Sequence, residues 1–398
     1  MTDYLNEAEN VNKPTLLYAS PFAPKESGIS DYSLILVNAL KEFFEITLYI
    51  DDYEPESPDL SEFKKIKNGV DEVDFDSFDY KIYNMGNNAE YHVYIYDAAL
   101  THPGAVILHD LSICDFIQGY IKKKDLPYFT YIYERFGLEA FTIMKEARSD
   151  NTFGKGIVSK LSLNDELLRS GNKIIVHSEY SRNKIMETGL ISENNLKKIN
   201  MIEQVKTGEN FIPKKELAGK FGIPEDAVMV CAFGFASDYK FNIETARAVK
   251  ELNAELDKKI CYVMVGSGDY ADGELKDSEV IKTGYTTLEE FNSFVNCADI
   301  IVNLRFPPLG ETSGSMLRIL QLGKPCITNN GGWFSEIPDD IVVKIPIENV
   351  GTDLKAALKE LIFDPSKAEK VGQAAASHIS QYHGKSLIAK EFYDYLTR

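Results

Sequence analysis

The sequence predicts an α/β protein made of two successive, Rossmann-like doubly wound domains that face a central cleft. Three observations lead there. Short apolar runs alternate with helical patterns along the chain, the signature of parallel sheets. The alternation restarts after VKTGENFIPKK (205–215), a polar stretch carrying Gly and Pro. A length of 398 residues suffices for two such cores and is large for one.

In the first series the strands are TLLYAS (15–20), ITLYID (46–51), DYKIYNMG (79–86), GAVILHD (104–110) and KIIVHS (173–178). Between the first two, Leu34, Val37, Leu40 and Phe43 recur at helical spacing. Residues 120–170 form a longer, mainly helical stretch, expected as an insertion on one side of the sheet. The second series runs VMVCAFG (228–234), ICYVMVGSGD (260–269), EVIKTGY (279–285), DIIVNLRFP (299–307), KPCITNN (324–330) and IVVKIP (341–346). A final helical stretch, about 366–397, has no strand after it. The expected organisation is therefore a frayed N-terminus over 1–13, a first domain over 14–207, a second over 208–375, and a C-terminal helix over 376–398 that packs across both. No low-complexity segment or repeat of 20 to 50 residues interrupts this plan.

Composition excludes several functions. With 44% hydrophobic and 26% charged residues the chain is ordinary globular protein. No run reaches the eighteen apolar residues of a membrane helix, and the acidic opening MTDYLNEAENVNKP is unlike a secretory signal, so a cytoplasmic location is expected. Cys114, Cys231, Cys261, Cys297 and Cys326 lack metal-ligand spacing and read as reduced, mostly buried thiols. A net charge of -18 repels polyanions, which argues against nucleic acid as a partner.

The same charge sharpens the search for a phosphate site, which needs concentrated cations. NLRFPPLGETSGSMLRILQLGKPCITNNGGWFSEIPD (303–339) reads strand, loop, helix, strand, loop, and ligands of open parallel sheets sit beyond the carboxyl ends of strands. Thr312 or Ser313 can cap the helix; Gly314 and Ser315 open its first turn, leaving backbone N–H groups for an anion. A helix terminus alone contributes only about 0.3–1 kcal/mol, so cations must add to it. Arg305 at the strand end, Arg318 in the helix and Lys240 after FGFASDY are the candidates. Glu311, which would repel phosphate, suits sugar hydroxyls instead. Each has a plain structural reading: a helix cap for Thr312 or Ser313, a Glu311–Arg318 pair, a solvated Lys240. In the first domain, SPFAPKESGISDYS (20–33) places Gly28 between a strand end and a helix, and His109 with Asp110 closes GAVILHD; a turn glycine and a structural histidine are the alternatives.

These segments, together with YNMGNNAEYHVYIYDAALTHPGAVILHD, KIIVHSEYSRNKI and TGYTTLEEFNSFVNCADIIVNLRFP, resemble glycosyltransferase family four, the large retaining family of GT-B fold, from about residue 15 to 395. The resemblance implies a UDP- or GDP-sugar donor on the second domain and a glycan, lipid-linked or other hydroxyl acceptor on the first. It implies no metal or cofactor. It places the base near Gly284 and Tyr285, the diphosphate at Lys240 and the helix after Glu311, the sugar at Glu311, Gly28 near the phosphates, and His109 facing the reacting sugar. In such retaining enzymes the acceptor attacks the face the leaving group departs from, and a diphosphate oxygen takes the proton. The chain departs from the pattern in four places: Arg318 stands where the family has its second Glu, Glu311 one position after its first, Phe235 where an Arg is usual, and Phe241 after Lys240. These departures keep two alternatives open, a non-catalytic GT-B partner subunit and a sugar-nucleotide epimerase.

Overall fold

The computed structural model describes residues 13–149, 160–206, 208–268, 280–308 and 310–398. The expected frayed terminus apart from Lys13, residues 150–159 of the expected helical stretch, Thr207 of the expected linker, Asp269 and Glu279 of the second-domain strand runs, and Leu309 of the 303–339 segment lie outside them.

Thirteen strands are described: β1 (Thr15–Ala19), β2 (Glu45–Ile50), β3 (Lys64–Lys67), β4 (Tyr80–Met85), β5 (Ala105–Leu108), β6 (Lys173–Val176), β7 (Leu196–Lys198), β8 (Val228–Phe233), β9 (Ile260–Val265), β10 (Val280–Lys282), β11 (Ile300–Val302), β12 (Cys326–Asn329) and β13 (Val343–Ile345). They form a seven-stranded sheet, β3-β2-β1-β4-β5-β6-β7, and a six-stranded one, β10-β9-β8-β11-β12-β13, with every pairing parallel. The strand order reverses between β1 and β4 in the first sheet and between β8 and β11 in the second. Crevices open at such switch points, beyond the strands' carboxyl ends.

Two strands, β3 and β7, were absent from the sequence reading. Both are edges of the first sheet, and both are rich in lysine (KKIK and LKK). Charge on an edge strand discourages pairing with another chain and erases the apolar run by which a strand is read. The inner strands are legible for the opposite reason. On β1, Leu16 and Tyr18 enter one buried cluster while Leu17 and Ala19 enter another, so both faces are covered and the run is apolar throughout.

One apolar cluster continues through both units. It joins Leu36 and Leu40 of the helix Gly28–Leu40, Ile199 and Ile202 after β7, and Leu317 and Leu320 of the helix Gly314–Gln321. The chain's end tightens this junction. The helix Pro365–Tyr382 lies so close to the turn after Gly314–Gln321 that a Cβ on Gly372 would stand 2.0 Å from the Gly323 carbonyl oxygen. The last helix, Lys385–Leu396, returns to the first unit, where Tyr393 stacks on Phe43 at 5.2 Å and the Tyr395 carbonyl accepts from Lys173 Nζ at 2.9 Å.

Polar contacts also cross between the units. Glu336 of the second accepts hydrogen bonds from the backbone N–H groups of Glu179 and Tyr180, capping a first-unit helix at 2.8 and 2.7 Å. Ser181 Oγ donates to the Gly310 carbonyl at 2.7 Å. The five cysteines are free, and among the described residues no helix is long and apolar enough to cross a membrane. The 120–170 stretch is mainly helical where described, with a break at Gly137, whose φ is +83°.

Candidate functional site

The loop after β11 carries the second unit's switch-point chemistry. Arg305 is fixed by its backbone: its N–H donates to Asn329 Oδ1 at 2.7 Å, and Asn329 Nδ2 donates to its carbonyl at 3.0 Å. Held at its root, the guanidinium pairs through Nη1 with Glu311 Oε1 at 2.5 Å, while Arg305 Nε is buried without a partner. A buried, unsatisfied donor on a cation is costly and marks a group with bonding capacity in reserve.

Lys240 stands beside this pair. It follows β8 at the adjacent switch-point strand, and its Nζ donates to the Phe233 carbonyl at 2.9 Å. Gly234, whose φ is +84°, favours glycine, and a Cβ there would lie 2.8 Å from that nitrogen, so the lysine would have to shift to admit a side chain. Burial, with the Arg305 charge acting the same way and Glu311 opposing, pushes the Lys240 ammonium down to about 7. The second unit thus brings two cations, Lys240 and Arg305, and one carboxylate, Glu311, to the crevice, and Asp110 of the first unit lies within reach of the Arg305 and Glu311 charges, so the cluster offers partners both to an anion and to hydroxyl donors.

The helix Gly314–Gln321 opens at the same loop. Ser313 is its N-cap, accepting from the Met316 N–H at 3.2 Å, and Ser313 Oγ lies 2.9 Å from Ser315 Oγ. The cap falls to Ser313; Thr312 precedes it, half-buried. Gly314 has space above it, the nearest atom to a Cβ there being Gln204 Oε1 at 3.9 Å.

Arg318 differs from its expected role. It is 5% exposed and spends its guanidinium on the Gln204 carbonyl (2.7 Å), Asn292 Oδ1 (3.5 Å) and, in the first unit, Asp31 Oδ2 (3.1 Å). It joins the two units instead of offering itself to the crevice. The suggested Glu311–Arg318 pair is likewise replaced, by Glu311–Arg305. Glu311 precedes the helix start, so the seven-residue spacing does not put the two side chains on one helical face.

From the first unit, Ser27 caps the helix Gly28–Leu40, and nothing lies within 4 Å of a Cβ built on Gly28. That space faces the first sheet's switch point between β1 and β4. His109, one residue beyond β5, is almost fully buried. Asn84 Nδ2 donates to the Ala19 carbonyl, so its Oδ1 must accept, and the network assigns the His109 proton to Nε2 at 3.0 Å. Burial, then the nearby His177 and His92, hold His109 well below the ordinary imidazole range, so the ring is neutral at pH 7.

Gly284 has a φ of +71°, pairs with Gly266 in an isolated bridge, and has open space beside it. Tyr285 is 66% exposed; its hydroxyl is pushed up by partial burial and by the charges of Glu26 and Asp31, which places it near the first unit's 26–31 turn. Phe235, also exposed, replaces a cation the resemblance would have had there.

Two site residues escaped the sequence reading. Asp31 is the partner of Arg318, and no local signal pairs residues 287 positions apart. Asp110 was seen only as the polar neighbour of His109. Burial pushes its carboxyl up to about 6, the backbone N–H of Asn87 and the Arg305 charge oppose this, and the Glu311 charge adds to it. A polar residue two steps beyond a buried strand was the available clue.

No family model and no curated protein sequence matches the chain. Solved structures do. Anabaena Alr3699/HepE, in complex with UDP and glucose, is 13% identical over 96% of this chain and 99% of its own, with a TM-score of 0.64. Sucrose-phosphate synthase from Thermosynechococcus elongatus is 13% identical over 96% and 98%, at 0.61. The fold is GT-B. WaaG, a glycosyltransferase involved in lipopolysaccharide biosynthesis, matches at 14% identity over 96% and 99%, at 0.57. The loops after β8 and β11 lie at the second sheet's switch point, and Gly28 and His109 follow β1 and β5 of the first sheet.

Proposed function

We propose that the protein is a retaining glycosyltransferase that moves a hexosyl group from a UDP- or GDP-sugar to a hydroxyl acceptor, such as a glycan or lipid-linked sugar, without a metal. The observation that carries the reading is the Lys240–Arg305 pair at the second switch point, one with its ammonium pushed down to about 7 and one with a bonding group in reserve, beside the open N-terminus of the helix Gly314–Gln321. Breaking a sugar–phosphate bond builds positive charge on the sugar and negative charge on the diphosphate. Cations and N–H groups aimed at the diphosphate stabilise that separation more than they stabilise the intact donor.

In this reading Lys240, Arg305 and the N–H groups at Gly314 and Ser315 receive the diphosphate, with Thr312 and Ser313 lining the turn. Gly28 lets the first domain's backbone approach the phosphates, Gly284 and Tyr285 flank the base, and Glu311 accepts from sugar hydroxyls. Neutral His109 faces the reacting sugar as a hydrogen-bonding group. The proton of the acceptor hydroxyl passes to the departing diphosphate oxygen, so no protein nucleophile is required. The likeness to HepE, whose structures hold UDP, glucose and UDP-glucose, supports a uridine donor as the first to try.

The experiment is a donor panel (UDP-, GDP- and ADP-sugars) followed by nucleotide release and by NMR of the product anomer, with and without EDTA. Release with retention and no EDTA effect is expected. Release with inversion would leave the transferase and remove the retaining mechanism; an altered donor sugar without transfer would favour an epimerase.

A further inference from the structure

Asp110 and Glu311 enter the crevice from opposite units, and Asp110 has no task in the reading above. Its position is fixed on two sides. Its Oδ2 accepts from the Asn87 backbone N–H at 2.9 Å. The next residue, Leu111, is pressed against the residue before Glu311: a Cβ on Gly310 would lie 2.3 Å from Leu111 Cβ. Ser181 holds the same Gly310 from the first unit through its carbonyl. The Gly310 backbone therefore abuts the Leu111 side chain across the units, and each of these residues is the immediate neighbour of one of the two carboxyl groups.

The chemistry of that pair is specific. Carboxylates only accept hydrogen bonds and repel a diphosphate, so where two of them stand near each other, apart from the phosphate-facing ends of Lys240 and Arg305, they suit an uncharged group rich in hydroxyl donors. The charges reaching the half-buried Asp110 are Glu311 and Arg305 from the second unit and Asp115 from its own. We infer that Asp110 grips hydroxyls of the donor's sugar from the first unit while Glu311 grips them from the second, so that sugar recognition is completed only where the units meet. The inference rests on the nucleotide-sugar reading and adds a specificity-determining residue to it.

The test is calorimetric titration of UDP, UDP-glucose, GDP and GDP-mannose into the wild type, Asp110→Asn and Asp110→Ser. Either replacement still offers an oxygen to the Asn87 N–H, which guards the fold. The readout is the sugar increment, the ratio of Kd for the bare diphosphate to Kd for its sugar. Both variants are expected to lose at least fivefold of the increment while Kd for the bare diphosphate stays within twofold. A wild type that binds none of the four overturns the nucleotide-sugar reading and this inference with it. Binding with an increment that is absent, or unchanged in either folded variant, overturns the inference alone.

Discussion

Arg318 of the second domain and Asp31 of the first are joined by an ion pair of 3.1 Å, with the arginine buried and the aspartate 38% exposed on its side chain. Burial pushes the Asp31 carboxyl up and the Arg318 charge pulls it back. The pair joins the two units at the first turn of the helix that Gly28 opens, so it ties the helix Gly314–Gln321 to the relative placement of the domains.

Asp31→Ala is expected to destabilise the protein by about 1–3 kcal/mol, between the values for exposed and buried pairs because solvent screens Asp31. The Gln204 carbonyl keeps part of the arginine satisfied. Chemical denaturation measures this, and no change in midpoint would show that the pair adds nothing to the interface.

Leu317 and Glu311 separate stability from function on neighbouring residues. Leu317 is fully buried, and Leu317→Ala is expected to cost about 2–5 kcal/mol. Glu311→Gln keeps the shape and one acceptor toward Arg305; it is expected to lower turnover at least tenfold with a much smaller midpoint shift. Equal loss of folding in both variants would make Glu311 structural.

Acid should unfold the protein early. Burial pushes His92, His177 and His383 down to about 4 and holds His109 well below the ordinary imidazole range. Each is neutral when folded and charges on unfolding, so the stability it contributes is complete above about pH 6.5 and lost as pH falls toward 4. Each contributes a slope of about 1.4 kcal/mol per pH unit in that window. Asp110, whose carboxyl is pushed up to about 6, acts in the opposite sense. Denaturation from pH 7.5 to 5 should show the slope, and His177→Gln should flatten it by about one proton; an unaltered slope would contradict the burial argument.

Gly28 and Gly310 should respond oppositely to a methyl group. At Gly28 the space is open, so Gly28→Ala is expected to keep stability and weaken diphosphate binding. At Gly310 the φ is +84° and Leu111 blocks the Cβ, so Gly310→Ala is expected to cost about 1–3 kcal/mol. Thermal denaturation and nucleotide titration of both variants check the contrast.

The sheets were legible because inner parallel strands such as β1 and β8 are buried on both faces and leave continuous apolar runs. Edge strands β3 and β7 were not, since their lysines mask the pattern. The candidate site was legible where local chemistry marks it: Thr312 or Ser313 as a cap before Gly314, a lysine after the loop that follows a strand, a cation at a strand end. Its pairings were not. Arg318 meets Asp31 and Arg305 meets Glu311 through tertiary placement, and helical spacing misled because Glu311 lies outside the helix.

The most direct measurement is the calorimetric affinity of UDP, GDP and ADP for the wild type and Lys240→Met at pH 7. One diphosphate is expected to bind the wild type, and the variant at least tenfold more weakly while remaining folded. Equal affinity in the two proteins, or a folded wild type that binds none of the three, would contradict the claim that Lys240 and Arg305 receive a departing diphosphate.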